Sequence, residues 1–244
     1  MQACYGIDIG GTKIELAAFD AGLQPLHRQR IDTPGRDYPA FLAAVAGLVQ
    51  AADAVLGQPA AAVGIAMPGV RDPDSGRLLS ANVPALTGQR VQEDLQHRLQ
   101  RPLQFGNDMQ CFALSEANGG AADGQPSMLG AILGTGAGGG YCVHGRLVSG
   151  YNGIAGEWGH WSVPAHLLER HGLPLLDCGC GLRGCVERYI AGGGVAMLHR
   201  HLGGDPADAS IVIERAHQGD ALAMRALQIH LDLLGHTLAA GTAL

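Results

Sequence analysis

Tyr5-Gly-Ile-Asp8-Ile-Gly10-Gly11-Thr12-Lys13-Ile-Glu-Leu-Ala-Ala-Phe19 decides how this chain begins to fold. An apolar run meets an Asp-x-Gly-Gly-Thr turn, and a second apolar run follows. That order predicts a strand, a tight glycine turn and another strand. Glycines let the backbone approach a ligand closely, and the N–H groups of such a turn can hold phosphate oxygens. Asp8 would orient a metal-bound water near those phosphates. An ordinary hairpin would read the same way. The G-x4-G-K-[ST] spacing of a P-loop is absent.

The pattern returns later. Met128-Leu-Gly-Ala-Ile-Leu133 has the character of a buried strand and leads into Gly134-Thr135-Gly136-Ala-Gly138-Gly139-Gly140, then Tyr141-Cys-Val143. The glycine spacing imitates a dinucleotide fingerprint, but a strand-like run follows where a helix should. Two strand–turn–strand units, one opening each half of the chain, predict a pair of phosphate clamps facing a shared cleft.

Between them the pattern alternates. Tyr38 to Leu56 is apolar at helical spacing, Ala62 to Met67 reads as a strand stopped by Pro68-Gly69, and Val91 to Leu99 reads as an amphipathic helix. Leu103 to Phe105 is a short strand ending at Gly106-Asn107-Asp108, ahead of a helical run from Met109 to Ala117. A carboxylate at a strand end beside a helix start is well placed for chemistry. Taken alone, Asp108 reads first as a plain helix cap.

The segment from Glu157 to Glu187 carries a different signal. It reads Glu157-Trp-Gly-His160 and then Cys178-Gly-Cys180-Gly-Leu-Arg-Gly-Cys185-Val-Glu187, a C-x-C-x4-C spacing with a histidine upstream. Three thiolates and an imidazole suit tetrahedral zinc in a closed structural site. The alternatives are a disulfide cluster or unrelated thiols. The start of the chain shows no signal-peptide pattern, so a reducing cytoplasm and metal binding are expected. Cys4, Cys111 and Cys142 lie in apolar surroundings and read as small core residues.

At 244 residues, two lobes are expected, divided here as 1–112 and 113–244. Sparse charge and plentiful aliphatics fit an α/β protein. A net charge of -6 gives no general reason to bind nucleic acid. No consecutive apolar run reaches the roughly 18 residues that suggest a membrane span.

Taken together, these segments resemble the ROK family of sugar kinases, within the actin-like, hexokinase-like ATPase superfamily. The matching residues are Asp8-Ile-Gly-Gly-Thr-Lys13, Gly69, Asn107-Asp108, Gly134-Thr-Gly-Ala-Gly-Gly139, Glu157-x-x-His160 and Cys178-x-Cys180-x4-Cys185-x-Glu187. Ser80-Ala-Asn82-Val-Pro84, Asn107 to Glu116 and Cys178 to Gly181 look most like the N-acetyl-D-glucosamine branch. Gly153 to His160 also looks like fructokinases.

The resemblance implies an α/β fold of two lobes with mixed sheets, flanking helices and a zinc knot in the second lobe. It implies transfer of phosphate from MgATP to the 6-hydroxyl of a hexose, N-acetyl-D-glucosamine first, with fructose, glucose and N-acetylmannosamine as alternatives. Asp108 would be the general base. Gly69, Asn82, Asn107, Glu157, His160 and Glu187 would bind sugar. Asp8, Gly10, Gly11, Thr12 and Lys13, with Thr135 and Gly136, would hold phosphates and Mg²⁺. His160, Cys178, Cys180 and Cys185 would hold structural Zn²⁺, and a homodimer is expected.

Asp220 to Leu244 is apolar at helical spacing and ends without a following strand. Relatives continue with a strand and an adenosine-contacting turn, so the second lobe is expected to be incomplete and the chain to have little kinase activity. A sugar-binding module without turnover is therefore an alternative. ROK repressors share the core but add an amino-terminal helix-turn-helix, for which the Asp8 strand leaves no room.

Overall fold

The computed structural model describes residues 3–80 and 82–242. Ala81, beside Asn82, and the last two residues of the chain lie outside them. The chain divides into two compact units, Met1–Cys111 with Tyr151–Gly153, and Phe112–Gly150 with Ile154–Leu244.

The first unit is built on a five-stranded sheet. Strands β1 (Cys4–Ile9) and β2 (Lys13–Phe19) form the antiparallel pair expected from the opening motif. An edge strand, β3 (Pro25–Asp32), adds antiparallel to β2. On the other side β4 (Ala62–Met67) and β7 (Leu103–Asn107) run parallel to β1, giving the order β3-β2-β1-β4-β7. Side chains alternate, so Tyr5, Ile7 and Ile9 of β1 and Ile14, Leu16 and Ala18 of β2 enter one core. A small pair, β5 (Val70–Arg71) and β6 (Leu78–Leu79), follows β4.

Helix α1 (Tyr38–Leu56) covers the sheet. The Asp37 side chain accepts from the Ala40 N–H at 2.9 Å, and Gly57 closes the far end at φ 70°. Phe41, Val45, Leu48, Val49 and Ala52 face the core. By length and composition alone this helix is long and apolar enough to cross a bilayer. Gln50 and Asp53 interrupt any unbroken apolar run, but alanine keeps the average hydropathy high. Its apolar stripe is packed in the core of this unit.

Asp53 ties α1 down. Arg101 grips it with two bonds, at 3.0 and 2.7 Å, and the Tyr5 hydroxyl donates to it at 3.0 Å. Burial alone would raise the Asp53 carboxyl; the bonds from Arg101 and Tyr5 outweigh it and hold the group below its usual range. Arg101→Ala is expected to destabilise the unit by about 2 kcal/mol, because a largely buried carboxylate loses its partner. A depressed folded value means the stabilisation is present above the unfolded pKa of ~3.9 and disappears as pH falls through the folded value. Denaturant melts of the variant at pH 7 and pH 3 check both statements; equal loss at both would contradict the assignment.

In the second unit, β8 (Ser127–Leu133), β9 (Ala137–Val143) and β10 (Arg146–Val148) form an antiparallel sheet in the order β10-β9-β8. The glycine turn is therefore shorter than the sequence suggested. Gly138, Gly139 and Gly140 lie inside β9 and are buried, leaving Gly134–Gly136 as the loop. The helical part includes α5 (Glu187–Ile190), α6 (Gly192–His201), α7 (Ala209–His217) and α8 (Ala221–Thr242). Asp220 accepts from the Ala223 N–H at 2.8 Å and starts α8, whose Ala223, Ala226, Ile229 and Leu233 join Trp158, Tyr189 and Leu198 in a second core.

Candidate active site

In the first unit the chemistry collects where the parallel strands end. Asp8 pairs with Ala66 and Met67 pairs with Asn107, so the carboxyl ends of β1, β4 and β7 stand in a row. Beyond them come Gly10-Gly11, Gly69 and Asp108. Open parallel sheets bind ligands at this edge.

The first turn is held from within. The Gly10 N–H donates to the Lys13 carbonyl at 2.8 Å, the Thr33 hydroxyl donates to the Gly10 carbonyl at 2.8 Å, and the Thr33 N–H donates to the Thr12 carbonyl at 2.9 Å. A Cβ on Gly11 would stand 2.9 Å from the Asn82 carbonyl oxygen, so the turn and the Asn82 segment touch. The Lys13 ammonium is paired with Asp32 across β2 and β3. Thr33 was not singled out in the sequence; an isolated threonine beyond an edge strand carries no local signal.

Asn107 and Asp108 separate into two jobs. Helix α3 (Asp108–Ala117) is capped by Asn107, whose side-chain oxygen accepts from the Met109 and Gln110 N–H groups at 3.0 and 3.2 Å. The Asn107 amide donates to the Gly69 carbonyl at 3.3 Å, and Gly69, at φ 111°, leaves no room for a side chain against Leu79. Asp108 is thus not the cap. It is half-buried and accepts from the Met109 N–H at 3.0 Å. Burial raises its carboxyl above the usual range and the nearby charge of Asp8 adds to this, with the Met109 N–H offsetting part. Asp8 is raised too, by partial desolvation and then by Glu15 opposite it, with Arg30 opposing.

In the second unit His160, Cys178, Cys180 and Cys185 come together, their ligand atoms all within 4.8 Å of one another. Cys178 Sγ lies 3.7 Å from His160 Nδ1, and Cys180 Sγ lies 3.6 Å from Cys185 Sγ. Tetrahedral zinc with Zn–S near 2.3 Å and Zn–N near 2.0 Å sets its ligand atoms roughly 3.5–3.8 Å apart. The donor set fits. A tight turn, with the Cys178 N–H on the Leu182 carbonyl at 2.8 Å, folds the first two cysteines back, and Gly181 at φ 88° permits it. Val163 and Val186 bond across to Gly184 and Trp161, which fixes Cys185 beside the residues that follow His160. Burial and the neighbouring thiols push Cys185 up to about 12, so ionising it needs a cation.

Glu187 reaches the second glycine turn. Its Oε2 accepts from the Ala137 N–H at 2.8 Å and stands 2.7 Å from where a Cβ on Gly136 would be. Glu157 is half-buried and precedes the short 3₁₀ turn Trp158–His160. A seam of glycines packs this turn on the β8–β9 hairpin. Added Cβ atoms at Gly139, Gly156 and Gly159 would stand 1.8, 2.3 and 1.9 Å from the carbonyl oxygens of Gly130, Gly139 and Ala137. The expected residues thus gather in two sets, Asp8 to Lys13 with Gly69, Asn82, Asn107 and Asp108, and Thr135 and Gly136 with Glu157, His160, Glu187 and the cysteines.

The N-acetylgalactosamine kinase AgaK of Shewanella sp. (strain ANA-3) is 46% identical over 235 residues, covering 96% of this chain and 76% of that protein. The N-acetyl-D-glucosamine kinase of Pectobacterium atrosepticum is 44% identical over 236 residues, covering 96% and 77%. The ROK hexokinase from Thermus thermophilus superposes with a TM-score of 0.85 at 30% identity, over 98% of this chain and 77% of its own. The ROK family profile matches residues 4–244. By its match to the family and its likeness to these kinases in sequence and fold, the chain belongs to the ROK family.

Proposed function

We propose that this chain is an ATP-dependent kinase of an N-acetylhexosamine, with N-acetyl-D-glucosamine first and the 6-hydroxyl as acceptor. The observation that carries the reading is Asp108. The adjacent Asn107 takes the capping role, and Asp108 stands half-buried beside Asp8 at the carboxyl end of the parallel strands. Phosphoryl transfer needs positioning, charge neutralisation and a base within reach of the nucleophile. Asp108 accepts the hydroxyl proton. Gly69, Asn82, Asn107, Glu157, His160 and Glu187 orient the sugar. The turns at Asp8 to Lys13 and at Thr135-Gly136 hold the phosphates, where bound Mg²⁺ supplies charge neutralisation.

His160 serves twice in this reading. Its Nδ1 faces Cys178 and would ligate zinc, and Nε2 would then carry the hydrogen and could donate to a sugar hydroxyl. The zinc is structural and activates no water. Its partners are the sugar, MgATP and a second copy of the chain, and its setting is cytoplasmic, with no nucleic acid and no membrane.

A specific observation favours a second sugar, because one relative at 46% identity is named an N-acetylgalactosamine kinase. A coupled assay over N-acetylglucosamine, N-acetylgalactosamine, N-acetylmannosamine, glucose and fructose tests the proposal. An acetylated hexosamine is expected to give the highest kcat/KM. Turnover of unacetylated hexoses alone would reject the substrate class, and tight sugar binding without turnover would mark a binding module.

The acid side of the pH profile follows from Asp108. The base works only when ionised, and its carboxyl is raised. The acidic limb of kcat/KM is therefore expected above the ordinary aspartate value of ~3.9. A limb at or below that value would remove Asp108 from the role.

A further inference from the structure

We propose that Glu187 is a positioning residue that carries the rigidity of the metal centre into the phosphate turn Gly134–Gly136. The proposal rests on the reading of that turn as a phosphate clamp.

Three contacts pin the turn at its ends. The Gly192 N–H donates to the Gly134 carbonyl at 2.9 Å. The Gly134 N–H donates to the Gly136 carbonyl at 2.9 Å, and the Ala137 N–H donates to Glu187 Oε2 at 2.8 Å. The last two hold the same peptide plane, Gly136–Ala137, from its carbonyl side and from its N–H side. Gly134 and Thr135, at the tip, stay exposed. A clamp that must present N–H groups to phosphate benefits from such fixed ends, because no rotation then remains to be frozen when the ligand arrives.

Both holds on Ala137 come from beside metal ligands. Glu187 lies two residues after Cys185. Gly159, the residue before His160, packs so closely that a Cβ there would stand 1.9 Å from the Ala137 carbonyl oxygen. A metal joining His160 to Cys185 therefore fixes two grips on one residue, on the Ala137 N–H and on the Ala137 carbonyl. A carboxylate beside a phosphate site is otherwise unfavourable by charge. Its value here is as a hydrogen-bond acceptor, and this distinguishes the role from a purely electrostatic one.

The test is a comparison of Glu187→Ala, Glu187→Gln and Gly136→Ala in the whole chain, with melting temperatures confirming that each is folded. Glutamine keeps an acceptor oxygen and loses the charge. In Gly136→Ala the new Cβ pushes Glu187 off the turn. Hydrogen exchange of peptides spanning 134–143 and the KM for ATP are the readouts, with the KM for sugar reporting any sugar contact of Glu187 separately. Glu187→Ala and Gly136→Ala are expected to speed exchange and raise the ATP KM by about 10-fold each, the loss of one bond to a charged acceptor. Glu187→Gln is expected to restore both towards the parent. Chelation of the metal is expected to speed exchange in the same peptides. Unchanged exchange in Glu187→Ala overturns the coupling. Faster exchange with an unchanged ATP KM overturns the phosphate-clamp reading instead.

Discussion

Asp108→Asn is expected to lower kcat by at least about 10²-fold while sugar affinity changes far less. The substitution keeps shape and removes only the ability to take a proton. Two features make it a clean test. Asn107 already caps α3, so the helix start does not depend on Asp108. An asparagine oxygen can still accept the Met109 N–H that Asp108 now accepts at 3.0 Å. The fold should therefore persist, and removing one of two neighbouring negative charges should slightly favour it, since Asp8 raises Asp108. Single-turnover rates and calorimetric sugar binding on the same preparation check the split. A variant that turns over at the parent rate would make Asp108 a plain helix-start residue. A variant that loses sugar binding as steeply as turnover would make it a substrate ligand.

The second large effect is expected from the metal. Protein purified without added metal should carry close to one zinc per chain. Cys180→Ser should release it and lower the melting temperature by at least about 5 °C, the scale expected when a few kcal/mol leave a domain of this size. Cys180 is the exposed ligand, so the serine creates no cavity. Cys185 is buried, and burial with the neighbouring thiols raises its thiol above the usual range. The strain falls on the strip from Trp161 to Tyr189. Val163 and Val186 bridge it, and the Tyr189 hydroxyl donates to Pro174 and accepts from Leu176 at 2.8 and 3.0 Å. These contacts belong to the second core, so metal loss should loosen that unit first. Zinc-free protein of unchanged stability would end the assignment.

Local chemistry was legible in the sequence. The limits of α1 followed from apolar residues at helical spacing, and the grouping of His160, Cys178, Cys180 and Cys185 from their spacing. The opening hairpin followed from one glycine pair between alternating apolar runs. What escaped was tertiary. Gly138 to Gly140 read as loop because glycine is the usual turn residue, yet they are strand, and Gly139 is kept side-chain-free by the backbone of Gly130 and by Trp158. Asn107 and Asp108 are both good caps, and only geometry assigned the cap to the first. The bond from Ala137 to Glu187 joins residues 50 apart, which no local pattern can announce. The short helix α5 and the edge strand β3 lack a strong period and were not read.

The glycine seam has a consequence for how this chain can change over generations. Any missense mutation of a glycine codon adds at least one carbon. At 139, 156 and 159 that carbon would stand 1.8, 2.3 and 1.9 Å from a main-chain oxygen, and backbone cannot swing aside as a side chain can. Each such step is a loss before any benefit can appear, so the seam is closed to gradual exploration. Gly134 is different. Nothing lies within 4 Å of its missing side chain, and it sits in the open. Packing therefore freezes the seam, while at Gly134 any limit comes from the phosphate turn and not from space.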